Sequence, residues 1–146
     1  MEREDVLELI GRDGSPGSYQ EVRALWKAHS VAEENRDIHG IMQTLTDDCV
    51  YELPQTGDHW EGHIGATQFY TLLLSAFPDI KFRLENIVIG PQGVFEEARA
   101  TATHIGDWLD FPASGNLVEF TVLIFFPYDP DRRKFTGERV HFQFAT

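Results

Sequence analysis

The chain has 146 residues, 42% of them hydrophobic, with eleven Phe, four Tyr and three Trp, and a formal net charge of −12. This length suffices for one domain with a normal core, and the aromatic content excludes a disordered chain. The acidic balance excludes nucleic acid as a partner, since phosphate binding needs clustered Lys and Arg. The only close basic set, Arg132-Arg133-Lys134, is flanked by Asp129 and Asp131 and reads as a solvated hairpin tip.

The first 17 residues form an N-terminal arm: a short helix-compatible piece (Val6, Leu7, Leu9, Ile10), then a break at Gly11, Gly14, Pro16 and Gly17. A single domain is expected over residues 18–146. From Ser18, a plausible N-cap, apolar or aromatic residues recur at Val22, Leu25, Trp26, His29 and Ala32, the spacing of a helix with one inward face. A polar interval over 33–37 follows, and Ile38, Ile41, Met42 and Leu45 restart the same period.

Cys49 to Pro54 has the β-branched and aromatic content of a short strand. The lone Cys49 excludes an internal disulfide and reads as a small buried hydrophobe. Asp58-His59-Trp60-Glu61-Gly62-His63 superficially offers two histidines four apart for a metal, but Gly62 argues for a loop, where that spacing places no two side chains on one face. No metal is expected. Phe69, Tyr70, Leu73, Leu74 and Phe77 mark the buried side of a helix over 64–77, which Pro78 stops.

Strand character dominates the rest, over 80–89, 94–105, 117–126 and 135–144, separated by Gly, Pro and Asp turn signals. Helices followed by a meander of long strands give an α+β order, with helices on one side of a bent antiparallel sheet. The strand over 117–126 is apolar on both faces. Helices can cover only one of them, so a second copy of the chain, in a homodimer or higher homo-oligomer, is expected on the other.

Alternation places Ala98, Ala100, Ala102 and His104 on one strand face, leaving space above a stripe of methyl groups beside one imidazole. A histidine with its ordinary pKa of ~6.5 is suited to acid/base work in such a pocket. On the last strand Arg139, His141 and Gln143 share one face, with Val140, Phe142 and Phe144 on the other. The functional reading brings His104, His141 and Gln143 together as catalytic residues. The structural reading gives both histidines packing roles or turns His141 outward. Trp26, His29, Tyr51, Trp60, Trp108 and Phe126 are the expected pocket lining. Trp60 and Trp108 serve equally well as a lid or as loop anchors.

The chain carries, in this order, Arg36-Asp37 ahead of a helix ending at Asp47-Asp48, Val50-Tyr51-Glu52-Leu53-Pro54, Trp60-Glu61-Gly62, Ala76-Phe77-Pro78-Asp79, Thr103-His104-Ile105-Gly106, Pro112 to Gly115 and Gly137-Glu138-Arg139-Val140-His141-Phe142. In their order and spacing these fragments resemble the SnoaL-like polyketide cyclases, or ester cyclases, of the nuclear transport factor 2-like superfamily. The resemblance implies a cone-shaped, half-open barrel and a cofactor-free aldol closure, in which a pocket carboxylate removes a proton between carbonyls. It also implies a carboxylate near the end of the last strand, where this chain has Gln143, an amide that cannot act as a base. Two functions follow as expectations: a cyclase or isomerase using histidine acid/base chemistry on a polyketide-like or polycarbonyl ligand, or a binding module for a hydrophobic small molecule that has lost turnover. No cofactor is expected. Epoxide hydrolysis, also found in the superfamily, fits less, because Arg99 falls on the face opposite His104. No apolar stretch reaches the ~18 residues that span a bilayer, and the acidic start does not fit a secretory signal, so no membrane partner and a cytoplasmic location are expected.

Overall fold

The computed structural model describes residues 2–144; residues 1, 145 and 146, the outermost positions of the expected arm and domain, lie outside it. Three helices precede the sheet: α1 (Arg3–Ile10), α2 (Pro16–Glu34) and α3 (Ile38–Met42). The α2 N-cap is Ser15, whose hydroxyl accepts from the Ser18 N–H, with Pro16 at the first helical position. The helix therefore begins three residues before the expected start, because proline fits where no N–H is needed. Asp37 caps α3 by accepting from the Gly40 N–H at 2.9 Å.

The strands are β1 (Leu45–Leu53), β2 (Asp58–Glu61), β3 (Lys81–Gly90), β4 (Gly93–Thr103), β5 (Leu117–Asp129) and β6 (Lys134–Phe144), with α4 (Gly62–Ala76) between β2 and β3. They form one sheet in the order β2-β1-β6-β5-β4-β3, antiparallel except where β1 runs parallel to β6. The segment expected as a loop around Trp60 is the edge strand β2, paired with β1 from Val50–Glu61 to Leu53–Asp58. The sheet curves without closing, and α2, α3 and α4 pack into its concave side, as the α+β half-barrel reading expects.

Alternation along the strands decides what faces the helices. On β4, Val94, Ala98, Ala100 and Ala102 are buried. The even-numbered residues of β5 and β6, including Phe120, Val122, Ile124, Val140 and Phe142, join them. One bulge alters this parity on β6. Phe125 pairs with Arg139 and Tyr128 with Phe135, so Phe126 and Pro127 oppose Thr136, Gly137 and Glu138. Both Phe135 and Glu138 then point inward, three positions apart. Gly137 makes this possible: its φ is +129°, and a Cβ there would sit 1.8 Å from the Val50 carbonyl oxygen.

The N-terminal arm is tied to the outer edge of the domain. Arg12 donates to the Tyr128 and Pro91 carbonyls at 2.7 and 3.2 Å, and the Gln92 amide donates to the Leu9 carbonyl at 2.8 Å. Among the described residues, no helix is long and apolar enough to cross a membrane.

Candidate functional site

The interior of the half-barrel holds a cluster of titratable groups. His29 and Glu33 lie one helical turn apart on the inward face of α2. Tyr70 comes from α4, Tyr51 from β1, and Glu138 from the bulged start of β6. His29 Nε2 stands 3.0 Å from Glu138 Oε2 and 3.9 Å from Glu33 Oε2. The Tyr70 hydroxyl lies 2.7 Å from Glu138 Oε2, 2.7 Å from the Tyr51 hydroxyl and 3.3 Å from Glu33 Oε2. His29 and Glu138 are almost wholly buried, whereas the Glu33 side chain keeps 24% of its surface.

Hydrogen-bond arithmetic orders these protons. Thr44 donates its single hydroxyl proton to the Ile41 carbonyl at 2.6 Å, so its oxygen accepts from His29 Nδ1–H at 2.8 Å. Nε2 is then the nitrogen that meets Glu138, and when protonated it closes a buried imidazolium–carboxylate pair. Tyr70 also has one proton, and the 2.7 Å contact directs it to Glu138 rather than to Glu33. Tyr51 in turn donates to Tyr70. Glu138 is thus the most satisfied carboxylate of the cluster and Glu33 the least.

Electrostatics follows from that order. Burial acts to lower the His29 pKa, but the hydrogen bond and charge of Glu138, with Glu33 and Glu96 behind them, raise it overall. Burial and the Glu138 charge push Glu33 up to about 7, against the pull of His29. Burial, then the charges of Glu33 and Glu138, push Glu96 up to about 8. Burial drives both tyrosines well above their ordinary range. Near neutral pH, Glu33 is the group poised to gain or lose a proton.

Three spaces meet at Glu33. A cavity of ≈ 40 Å³ runs from Glu33 and Glu138 toward Trp108 and Phe142 and is otherwise apolar. A second, ≈ 60 Å³, lies between α2 and β4, with Trp26, His29 and Glu96 in its wall. An open cleft of ≈ 540 Å³ leads outward between the end of α2 and the start of β3, past Arg36 and Lys81. Glu33 and Phe82 border all three.

The residues singled out from the sequence fall into two groups. Trp26, His29 and Phe126 line the second cavity and Trp108 the first. Tyr51 joins the cluster through Tyr70, and Trp60 packs against Phe69 at a ring distance of 5.2 Å, outside the lining of either cavity. Trp108 is buried under its own turn, where its N–H and carbonyl pair with Phe111. His104, His141 and Gln143 do not converge. His104 is 4% exposed and lies against the Phe77 ring at 4.9 Å, with Nε2 unpartnered. His141 and Gln143 occupy the convex face of the sheet, opposite Leu123 and Thr121, and Gln143 is exposed. The pocket carboxylates are Glu33, Glu138 and Glu96, on other positions than Gln143. Each had a signal: Glu33 is four residues after His29, Glu138 shares a face with Val140 and Phe142, and Glu96 sits in the same stripe as Ala98. A carboxylate on an apolar face is the mark they share.

His29, Glu33 and Glu138 each offer one ligand atom, all within 4.8 Å of one another, a spacing that could hold a cation. In this arrangement His29 Nε2 and Glu138 Oε2 face each other as donor and acceptor. Proton transfer is the chemistry that these contacts organise directly.

Comparison with known proteins agrees with this architecture. A SnoaL-like polyketide cyclase from Jannaschia sp. CCS1, provisionally so described, superposes with a TM-score of 0.72 at 22% identity, covering 91% of this chain and 92% of its own. AclR from Streptomyces galilaeus, described provisionally as a hydroxylase, gives 0.66 at 19% identity over 87% and 90%. A protein from Kribbella flavida DSM 17836, described provisionally as a ketosteroid isomerase, gives 0.63 at 18% identity over 88% and 82%. At these identities the likeness is one of fold. No curated protein matches the sequence. The profile of the family described as SnoaL-like polyketide cyclase matches residues 19–132, most of the chain, including most of α2 and all of β1 to β5, and the chain belongs to that family.

Proposed function

We propose that the protein is a cofactor-free proton-transfer catalyst acting on a small apolar carbonyl compound, with Glu33 as the group that exchanges the proton. The observation that carries this reading is the position of Glu33 at the junction of both cavities and the cleft, with its carboxyl raised to about 7. A base whose pKa lies near the working pH combines a usable ionised fraction with a useful proton affinity. In the step proposed, the ionised Glu33 carboxylate takes a proton from the carbon next to a carbonyl. The C–H electron pair moves to form the enolate, whose oxygen takes up the charge. The Glu33 O–H then returns the proton at another carbon, giving isomerisation, or the enolate carbon attacks a second carbonyl of the same molecule, closing a ring, and the alkoxide so formed takes the proton back from Glu33.

His29, Glu138, Tyr70 and Tyr51 act as support. Within the buried His29–Glu138 pair the imidazolium, 3.9 Å from Glu33, partly offsets the larger opposing effects of burial and of the Glu138 charge, which holds Glu33 near 7 rather than higher. Cavities of ≈ 40 and ≈ 60 Å³ each admit only a small group, so a ligand of about one ring is expected to sit in the ≈ 540 Å³ cleft and send a carbonyl or a methyl group inward past Glu33. The convex face supports a second proposal, a homodimer or higher homo-oligomer. Phe95 is 46% exposed there, beside half-buried Leu123 and Phe125.

Deuterium uptake next to the carbonyl of acetophenone and cyclohexanone, followed by NMR in D2O, tests the chemistry. The wild-type chain is expected to accelerate uptake, with a rate that rises with pH through about 7 as Glu33 ionises and then levels off, and Glu33→Gln to abolish the acceleration while keeping the melting temperature. No uptake, with ketones still raising the melting temperature, gives the binding-module reading instead.

A further inference from the structure

We propose that the cavity between α2 and β4 is a subsite for a ligand oxygen, a carbonyl or enol oxygen received between the Trp26 indole N–H and the Glu96 carboxyl group. Trp26 Nε1 is shielded from solvent and has no hydrogen-bond partner. An indole N–H is a donor only, so whatever completes it must be an acceptor. Buried donors are nearly always partnered, which makes an orphan on a cavity wall a pointer to a missing ligand atom.

Glu96 stands on the same wall, on the stripe of β4 that continues through Ala98, whose small side chain leaves the space open. Its carboxyl is close enough to feel the indole N–H without closing a hydrogen bond to it. Burial and the neighbouring charges of Glu33 and Glu138 keep it largely protonated at neutral pH, so it presents an O–H as well. Two donors then flank one gap. The remaining wall is mostly aromatic and aliphatic, with Phe82, Ile124 and Phe126 around the polar end. An enolate oxygen held there would meet both donors as its charge develops. Glu33 borders the same cavity, so the subsite also fixes which carbon of the ligand faces the proposed base.

The inference shares its cavity with the proton-transfer reading, but its test is binding and stands whether or not turnover is found. The full chain, labelled with 15N at tryptophan, is titrated with acetophenone, with cumene as the isostere lacking oxygen, and with benzylamine as a cation. The Trp26 indole resonance is identified by its loss in Trp26→Phe. Acetophenone is expected to shift that resonance downfield and to bind about fivefold more tightly than cumene, the size of one net hydrogen bond. Trp26→Phe is expected to remove the preference while retaining cumene binding, and Glu96→Gln, whose amide still donates, to keep most of it. Equal binding of acetophenone and cumene, tightest binding of benzylamine, an unmoved indole resonance, or no binding at all would overturn the subsite.

Discussion

The two faces of the central strands differ in how they treat charge. On the convex face, Arg99 meets Glu85 and Glu119 at 3.3 and 2.8 Å, and Arg139 meets Glu52 at 3.0 Å, all with substantial solvent exposure. Such pairs are screened, and each contributes roughly 0–1 kcal/mol. On the concave face, His29 and Glu138 are removed from water and Glu33 and Glu96 are partly so, close enough that their charge states depend on one another. Reactivity here comes from where a charge is placed. The acidic excess of the chain as a whole says little about it.

The largest effect expected from breaking the contrast is at Glu138. Glu138→Ala leaves the buried His29 without its counter-charge and Tyr70 without its acceptor, a loss of about 3–5 kcal/mol in denaturant unfolding. Glu138→Gln keeps the shape and most hydrogen bonds, so it is expected to be milder. It also removes the main cause that raises His29, whose NMR titration midpoint should fall. A midpoint that stays in place would mean that Glu138 does not govern the imidazole.

Next comes the backbone that aims Glu138. Gly137→Ala puts a Cβ within 1.8 Å of the Val50 oxygen at a φ of +129°. Strain of this kind costs about 1–3 kcal/mol before any clash is counted, and relief of it would straighten the bulge and turn Glu138 away. The measurement is unfolding free energy together with the His29 titration. A variant that loses stability and keeps the His29 midpoint would separate the bulge from the site.

These residues also show what the sequence made legible. The buried alanine stripe, the inward spacing of Val22, Trp26 and His29, the long antiparallel strands and the fold family all follow from periodicity and local motifs. The site followed less well, because periodicity says which residues share a face but not which face meets the helices. Arg139, His141 and Gln143 do share a face, and it is the convex one. The inward turn of both Phe135 and Glu138 depends on one extra residue in β6, which strict alternation cannot contain. Glu33 opens a polar interval, and its role arises only when α2 runs on to Glu34 and carries it inward beside His29.

A smaller and graded effect is expected from pH. Glu33 and Glu96 have folded pKa values of about 7 and about 8, above the ordinary 4.5, so between these limits the native state binds more protons than the unfolded one. Stability from this source is complete below about pH 4.5 and declines as pH rises through 7 and 8. His29, also raised, acts with the same sign. The slope cannot exceed about 1.4 kcal/mol per pH unit for each group, and mutual coupling makes the total smaller. Denaturant midpoints between pH 5 and 9 are expected to fall, and Glu33→Gln to flatten the fall. Asp48, Asp79 and Asp129, whose carboxyls are lowered by their hydrogen bonds, act with opposite sign and only in more acidic solution.

The smallest effect is expected at Gln143, where the resemblance would place an acid. Gln143→Asp adds a charge to the convex row that runs through Thr121 to Arg99 and Arg83. Adjacent strands lie about 4.8 Å apart, so Arg99 is about 10 Å away, comparable to the screening length at physiological salt. The change in stability should stay within about 0.5 kcal/mol, as for most exposed substitutions. Deuterium uptake by ketones should be unaltered, because the new carboxylate would have the whole thickness of the sheet between it and Glu33. A gain in uptake by Gln143→Asp, with none lost in Glu33→Gln, would reverse the assignment of the two faces and move the chemistry to the convex side.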